Sequence, residues 1–367
     1  VVIARYYGAR DAQNLKSSVY TTVIFGLFAG VFLTVLGVCL TPWILELMGT
    51  PEDIMPYSVM YFRYYFLGSL AIVMYNMSMG ILRAVGDSEH PLYYLIFSSL
   101  VNIGLDFLFV GYFKWGVWAA ALATTISQFA SAVLCIFRLM RYKTDYQFRI
   151  PDKAFRFSSL WEIIRYGLPS GIQNSIIAFA NVIVQTNINS FGPDTVSGCG
   201  TYAKLEGFAF LPVVCFSQAL ATFVGQNIGA KQYGRVKKGL LFTTAFGIVF
   251  IGAMSTVSII FAEPIISIFQ KQPDVIIIGS KALRFTAIGM MFMPFSVPVN
   301  MLYQSIQQPT ISSLLSLIRS GLVTIPLLQF GVPILGLLGI QIAQPTADVI
   351  AGLISIPFII RFLRQKQ

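Results

Sequence analysis

The sequence predicts an all-α fold, a polytopic transmembrane helical bundle, from three observations. Hydrophobic residues make up 56% of the 367 residues and charged residues only 11%, with a mean hydropathy of +0.73. Soluble domains carry about 25% charged residues, so this composition excludes a cytosolic enzyme, a disordered chain and a nucleic-acid-binding protein. Ten apolar segments are each long enough to cross a bilayer, and all four tryptophans lie at or beside segment ends, as in an aromatic belt.

A hydrocarbon core of about 30 Å requires roughly 20 apolar residues of helix. We predict spans at 17–45, 57–82, 91–113, 115–137, 166–192, 202–226, 239–262, 284–306, 310–330 and 333–360. Their Gly, Ala and Ser content favours close helix packing over the alternating pattern of a membrane β-barrel. Four scattered cysteines are predicted to be buried thiols, with no disulfide or metal site: Cys39, Cys135, Cys199 and Cys215.

Lysine and arginine residues are distributed unevenly between the connecting segments. The N-terminal segment, every second loop and the C-terminus hold 18 of the 25, while the alternate loops hold only Lys114 and Lys271. The 18 are Arg5, Arg10, Lys16, Arg83, Arg138, Arg141, Lys143, Arg149, Lys153, Arg156, Arg165, Lys231, Arg235, Lys237, Lys238, Arg361, Arg364 and Lys366. The positive-inside rule then predicts that both termini are cytoplasmic. The net charge of +10 is a topology signal and gives no reason to expect nucleic acid.

The chain contains an internal duplication with an offset of 218–222 residues. Gly8-Ala9-Arg10 recurs as Gly229-Ala230-Lys231, and further matches are Pro42 with Pro264, Arg63 with Arg284, Gly68 with Gly289, Pro91 with Pro309 and Gly116 with Gly336. Both copies begin in a basic segment, so an even number of helices separates them and they share one orientation. Duplicated bundles of this kind are typical of secondary transporters.

The second copy is preceded by the spans 166–192 and 202–226, for which the first copy has no counterpart. Val1 aligns with the end of such a helix and is not a methionine, so we expect an N-terminally incomplete chain that lacks two helices. The predicted organisation is two pseudo-symmetric six-helix halves with ten spans present. It comprises an N-terminal bundle of four helices at 1–140, a basic cytoplasmic linker at 141–165 and a six-helix bundle at 166–367.

Four short motifs carry a family resemblance. They are Val224-Gly225-Gln226-Asn227-Ile228-Gly229-Ala230, Gly167-Leu168-Pro169-Ser170, Arg83-Ala84-Val85-Gly86-Asp87 before Pro91, and Ser127-Gln128. Together they resemble signature segments of the multidrug and toxic compound extrusion (MATE) family, over the whole chain. The resemblance implies a secondary active antiporter that exports organic cations and drugs in exchange for H⁺ or Na⁺ by alternating access. It also implies no cofactor, a prokaryotic inner-membrane location and, in our expectation, a monomer whose partners are the lipid bilayer and small organic cations.

Asp106 lies inside the span 91–113, where an ionised carboxylate costs about 2.5–3.5 kcal/mol on insertion scales and is functional by default. Asn102 lies one helical turn earlier on the same face, and helix rise predicts that Thr124 in the next span lies at a similar depth. Oxygens of these types suit a proton or a hard cation such as sodium. The three residues also match the N-half cation site of the resembled family, which uses a further Asp on a first helix that this chain lacks. The alternative is a structural carboxylate hydrogen-bonded to Asn102.

The candidate substrate cleft comprises Gln173, Asn174, Asn181, Gln185 and Glu206. Asn181 and Gln185 form, with Asn189, a polar stripe at i, i+4 and i+8 on one helix face. The stripe lines a water-filled cleft or, alternatively, supplies interhelical hydrogen bonds. Glu206 is predicted near the outer end of its span, where it binds a cationic substrate or extends to the membrane interface.

Arg319 and Asp348 lie in the last two spans and are predicted to form an ion pair, with a structural role or, alternatively, a role in the transport pathway. A lipid-linked oligosaccharide or lipid-precursor flippase is the alternative function. It would need several cationic side chains for a pyrophosphate, and the spans offer few, chiefly Arg319, Lys204 and Arg63. A single histidine, His90, and the absence of metalloenzyme, nucleophile and phosphate-loop motifs argue against an enzyme or an ATP-driven pump. No catalytic or metal-binding residue is predicted.

Overall fold

The computed structural model describes residues 1–47, 50, 52–142, 144–149 and 154–364, and the regular secondary structure of this part is entirely helical. The helices are α1 (Val2–Gly8), α2 (Ala12–Leu47), α3 (Met55–Leu67), α4 (Ser69–Ala84), α5 (Glu89–Asp106), α6 (Trp118–Arg141), α7 (Phe157–Asn189), α8 (Pro193–Gly229), α9 (Tyr233–Ile260), α10 (Ala262–Phe269), α11 (Pro273–Met290), α12 (Met293–Ser305), α13 (Pro309–Ser316), α14 (Ile325–Leu335) and α15 (Leu337–Arg364). Two π-helical segments interrupt this series, Phe107–Tyr112 after α5 and Leu317–Thr324 between α13 and α14.

The helices account for the predicted membrane crossings. Within the described residues, nine segments are long and apolar enough to cross a bilayer, and α11 with α12, bent by 52° at their junction, is a tenth candidate. Each matches one predicted span, so the predicted fold class is confirmed. The ends differ, because α7 begins at Phe157, inside the predicted linker 141–165. Residues 143 and 150–153 of that linker, and Lys366, lie outside the described residues.

The chain divides into two compact units, Val2–Ile163 and Ile164–Gln367 together with Val1. In the N-terminal unit, α2, α4 and α6 enclose an apolar core that includes Val19, Leu82 and Leu139. In the C-terminal unit, one core joins α8, α9 and α12 through residues such as Val224, Leu240 and Leu302. A second core joins α10, α11, α14 and α15 through residues such as Ile266, Ala282, Leu328 and Ala343. Each unit thus has its own packed interior.

The exposure of the cysteines differs in part from the prediction. Cys135 and Cys199 are buried, but Cys39 and Cys215 are exposed, so the prediction of four buried thiols is wrong for two of them. The exposed pair lies on α2 and α8, among outward-facing apolar side chains such as Phe28 on α2. A thiol is apolar enough to stand among such side chains, and apolar sequence alone does not distinguish the core from the lipid-facing surface of a membrane helix.

The backbone repeats the duplication at its turns. Arg10 and Lys231 adopt φ values of 56° and 57°, and Gly86 and Gln307 adopt 94° and 66°. Positive φ is uncommon outside glycine, yet both pairs are separated by the 221 residues that also relate the sequence copies. Arg10 and Lys231 follow the ends of α1 and α8, while Gly86 and Gln307 follow the ends of α4 and α12. The two units therefore close equivalent helices with the same turn geometry.

A close helix crossing is also repeated. A Cβ atom on Gly68 would lie 2.9 Å from Thr125 Oγ1, and one on Gly289 would lie 2.6 Å from Pro345 Cα. The glycines are repeat partners, and so are the residues that they contact, on α6 and α15. Small residues let helix backbones approach in a membrane, where the hydrophobic effect adds nothing to helix association. The lack of a side chain at Gly68 and at Gly289 thus allows the same close helix crossing in each unit.

A polar cluster fixes the loop between α4 and α5 to the end of α6. Asp87 Oδ1 lies 2.8 Å from His90 Nδ1, and Asp87 Oδ2 accepts a hydrogen bond of 3.3 Å from Arg138 Nη2. Burial raises the pKa of Asp87, but the hydrogen bonds from His90 and the contact with Arg138 outweigh it, so that the pKa is lowered. The ionised form of Asp87 therefore stabilises this loop.

Substitution of Gly289 by alanine tests the repeated crossing. The new methyl group must displace the backbone of α15, and we expect a loss of about 1–3 kcal/mol in stability, as for overpacked interiors. Thermal unfolding in detergent measures the change. The control is Gly252→Ala, because a Cβ there meets nothing within 4 Å; equal melting temperatures for both variants would contradict the packing argument.

Substitution Asp87→Asn tests the loop cluster. We expect a loss of about 1–3 kcal/mol at pH 7, since a charged hydrogen-bonding partner disappears. The pKa of Asp87 is lowered in the folded state, so its contribution is complete above the unfolded value of about 3.9 and is lost as the pH falls through the folded value. Melting temperatures from pH 7 to pH 3 should therefore converge with those of the wild type. A constant difference at every pH would rule this out, and Asp145→Asn, at an exposed position, should change little.

Candidate functional site

The predicted N-half site is built by α5 and α6. Asn102 Nδ2 donates a hydrogen bond of 3.4 Å to Thr124 Oγ1, and Thr124 Oγ1 itself donates to the Ala120 carbonyl one turn away at 2.9 Å. The contact brings Asn102 and Thr124 together, while the predicted equal depth of Asp106 and Thr124 stays a prediction. Asn102 and Thr124 therefore place an amide oxygen and a hydroxyl beside the turn that carries Asp106.

Asp106 is the last residue of α5 and is directly followed by the first π-helical segment. Its Oδ1 atom is buried and accepts no hydrogen bond from any described residue. The structural alternative requires a hydrogen bond from Asn102, but the Asn102 amide is directed to Thr124. A buried acceptor without a donor is costly, and π-helical segments occur frequently at functional sites. The arrangement suits an exchangeable proton or cation.

The C-terminal unit has no acid at the position that corresponds to Asp106. The repeat partner of Asp106 is Thr324, the last residue of the second π-helical segment, and Thr324 Oγ1 donates to the Arg319 carbonyl at 2.9 Å. Arg319 Nε in turn donates to Asp348 Oδ1, which confirms the predicted ion pair. The Asp348 side chain is only 1% exposed, while that of Arg319 is 27% exposed. The buried charge in this half is thus compensated by a partner.

Glu206 belongs to the same charged group. It interacts electrostatically with both Asp348 and Arg319. The prediction that Glu206 lies near a helix end is wrong, because α8 begins at Pro193 and extends well before the predicted span. At about 1.5 Å per residue, Glu206 lies roughly 20 Å along α8 from Pro193, so it does not lie at the end of the helix. Sequence reasoning missed this cluster because its three members lie on three different helices.

Gln173 is used inside the C-terminal unit. Its Nε2 donates to Ser316 Oγ at 2.5 Å, and its Oε1 accepts from Gln304 Nε2 at 3.1 Å and Ser312 Oγ at 3.4 Å. The residue is 8% exposed. This placement corrects the prediction that Gln173 lines a cleft, because its amide connects α7 to α12 and α13.

The other amides of α7 are placed differently. Asn174, Asn181, Gln185 and Asn189 are all exposed. Gln185 Nε2 donates to Asn189 Oδ1 at 2.8 Å, and among the described residues none of the four bonds to another helix. The alternative of interhelical hydrogen bonds is therefore not observed for them. They form an exposed polar stripe on a helix that is long and apolar enough to cross a membrane.

Comparisons with known proteins agree with this architecture. The family model described as MatE matches residues 1–108 and 169–329, which is more than half of the chain. The probable multidrug resistance protein YoeA of Bacillus subtilis is 29% identical over 296 residues, or 78% of this chain and 63% of YoeA. The chain therefore spans less than two thirds of that relative. An FAD transporter of Shewanella oneidensis is 24% identical over 96% of this chain and 78% of its own length.

Solved structures share the fold. A multidrug resistance MATE family transporter in an outward-facing conformation superposes with a TM-score of 0.91 at 21% identity, over 99% of this chain and 82% of that chain. A transporter from Pyrococcus furiosus, described as having a binding pocket of reversed polarity, also gives 0.91 at 21% identity, over 100% and 83%. At these identities the likeness establishes the fold.

The ion pair between Arg319 and Asp348 can be tested by removing one charge or both. Arg319→Met leaves the buried Asp348 without its partner, and we expect a loss of roughly 3–5 kcal/mol. The double variant Arg319→Met/Asp348→Leu removes both charges, and it should recover most of that loss. Thermal unfolding in detergent measures each variant. A double variant as unstable as the single one would show that the pair acts through packing and not through charge.

Proposed function

The chain belongs to the MatE family, and on that premise we propose that it is a secondary active antiporter. In this proposal it exports organic cations and drugs in exchange for H⁺ or Na⁺ by alternating access. The observation that carries the proposal is Asp106, a membrane-helix carboxylate with a buried, unpartnered oxygen beside the contact between Asn102 and Thr124. An acid kept in this position is expensive unless its charge is exchanged during the cycle.

Coupling requires that the ion favours one conformation. Binding of a proton or cation neutralises Asp106, and the neutral group is far easier to enclose in an apolar environment. An empty, ionised Asp106 favours the conformation in which water reaches it. Binding and release of the ion then shift the populations of the two conformations, as any ligand with unequal affinity does. Asn102 and Thr124 add neutral oxygen ligands without a second charge.

The substrate surface is assigned to the exposed stripe of α7 and to Glu206. The side-chain amides of Asn174, Asn181 and Gln185 are neutral and both donate and accept hydrogen bonds. They can therefore bind substrates of different chemical structure. The cluster of Glu206, Asp348 and Arg319 holds two carboxyl groups and one guanidinium, so its fully ionised form carries one net negative charge. In that form the cluster favours an amphipathic organic cation over an anion. The names of the relatives, multidrug resistance protein and FAD transporter, leave the substrate of this chain to experiment.

A lipid-precursor flippase is less compatible with the same contacts. Such a protein needs free cationic side chains for a pyrophosphate. Arg319 is already paired with Asp348, and Arg284 is paired with Glu263. The described membrane helices therefore supply less free positive charge than their sequence suggests.

The setting of the transporter follows from the loops and the family. We place both termini on the cytoplasmic side of a prokaryotic inner membrane, because 18 of 25 basic residues fall in the corresponding segments. The proposal requires no cofactor besides the coupling ion, no nucleic acid and no second copy of the chain. Its partners are the bilayer and small organic cations.

Asp106→Asn tests the coupling role. We expect the full-length protein to export ethidium from cells lacking their main efflux pumps under an imposed proton or sodium gradient. The variant should lose at least about a hundredfold in rate at equal expression, because a proton-transfer group typically contributes about 10²–10⁴-fold. Asp53→Asn, at an exposed position outside the spans, is the matched control and should leave the rate unchanged.

Three results are distinguishable in this experiment. The ion whose gradient drives efflux is identified as the coupling ion. Efflux that persists in the Asp106 variant would mean that coupling takes place elsewhere, with Glu206 and Asp348 as the next acids to test. A folded wild type that exports no dye under either gradient would contradict the proposed export of organic cations.

A further inference from the structure

A cavity of about 420 Å³ lies between α8 and α9, within the C-terminal unit and apart from all the site residues above. This volume falls in the range of about 300–1,000 Å³ that is typical of small-molecule sites. Its walls are two facing stripes of the antiparallel helices: Phe216, Ala219, Leu220 and Phe223 on α8, and Arg235, Lys238, Gly239, Phe242 and Thr243 on α9. Both stripes follow the spacing of one helix face.

The end of the cavity that is farther from the start of α9 is lined by aromatic side chains. Phe216 stacks on Phe246 at a centroid distance of 4.0 Å and lies 6.5 Å from Phe242. Phe242 is 64% exposed, so the cavity opens sideways on the surface of the unit. Gly239 keeps the groove narrow, because a Cβ there would lie 2.7 Å from the Phe223 ring. The shape and lining suit a flexible apolar chain.

The opposite end of the cavity is cationic. Arg235 and Lys238 are exposed near the start of α9, about 10 Å and about 6 Å of helix from the level of Phe242. The Arg235 guanidinium lies 5.8 Å from the Phe223 ring centroid and donates to Gln232 at 3.1 Å. Among the described residues, no carboxylate lines the cavity. Both cations therefore remain available to an anion at the mouth of an apolar groove.

We propose that this groove binds an anionic phospholipid of the cytoplasmic leaflet, with an acyl chain along Phe216 and Phe242 and its phosphate between Arg235 and Lys238. The occupant is decided by the order of the chemistry along α9. Positive charge comes first, near the start of α9 on the side that the positive-inside rule makes cytoplasmic, and aromatic surface follows one to two turns further along the helix. Basic pockets between membrane helices on the cytoplasmic side bind acidic lipid headgroups in this way. A soluble anion would leave the aromatic part of the groove without a contact. A zwitterionic lipid carries no net negative charge to match Arg235 and Lys238.

The test is native mass spectrometry of the detergent-purified protein titrated with dioleoyl phosphatidylglycerol or dioleoyl phosphatidylcholine. We expect selective retention of the anionic lipid. Binding should weaken on the order of tenfold in Arg235→Gln/Lys238→Gln, since each basic residue contributes a few-fold. Ala219→Phe fills the groove and leaves both charges in place, so it should also displace the lipid. The charge-matched control is Arg141→Gln/Arg165→Gln, which changes two exposed basic residues elsewhere and should bind as the wild type does.

Each other outcome would overturn the proposal. Equal binding of the two lipids would show that the cations select nothing, and unchanged binding in either groove variant would place the lipid elsewhere. Competition by glycerol phosphate at the same concentration as the lipid would show a free-phosphate site. Thermal unfolding of each lipid-free variant verifies that it is folded. The readout counts bound lipid and does not depend on transport, so it is independent of the proposed export function.

Discussion

Hydrocarbon cannot solvate a polar group, and the arrangement of the whole chain follows from this constraint. The backbone satisfies it by forming helices throughout the described crossings. Side chains satisfy it by pairing: Arg319 with Asp348, and Gln173 with Ser316, Gln304 and Ser312. Asp106 differs from Asp348, because both carboxylates have a buried oxygen without a hydrogen bond but Asp106 has no ion-pair partner among the described residues. A partner that comes and goes, such as a proton or a cation, is compatible with both its position and its isolation.

The two units share a fold and differ in their chemistry. Equivalent glycines, Gly68 and Gly289, allow equivalent helix crossings, and equivalent turns close the helices. The N-terminal unit nevertheless holds a carboxylate without an ion pair in the described residues, whereas the C-terminal unit has Thr324 at the corresponding position and the ion pair of Arg319 with Asp348 nearby. A bundle held together by helix packing leaves its polar positions free to diverge. One half can therefore carry ion exchange while the other carries a different polar surface.

Much of the fold was predictable, because bilayer thickness limits where a long apolar helix can begin and end. The pair of Arg319 with Asp348 was also predictable, since a buried cation needs an acid and one was available. Glu206 was misplaced, because hydropathy marks the apolar part of α8 and not its beginning at Pro193. Gln173 could not be separated from its exposed neighbours, since periodicity assigns residues to faces but does not say which face meets another helix. Cys39 was misjudged for the same reason.

The left-handed turns at Arg10 and Lys231 show how an internal duplication can be recognised from backbone angles. Neither residue is glycine, so the conformation persists although the amino acids that adopt it most easily are absent from both positions. The two copies keep glycine and alanine just before this position, and the dihedral angle is kept although the residue itself changes from arginine to lysine. The backbone torsion therefore marks the repeat at a position where the amino acids differ.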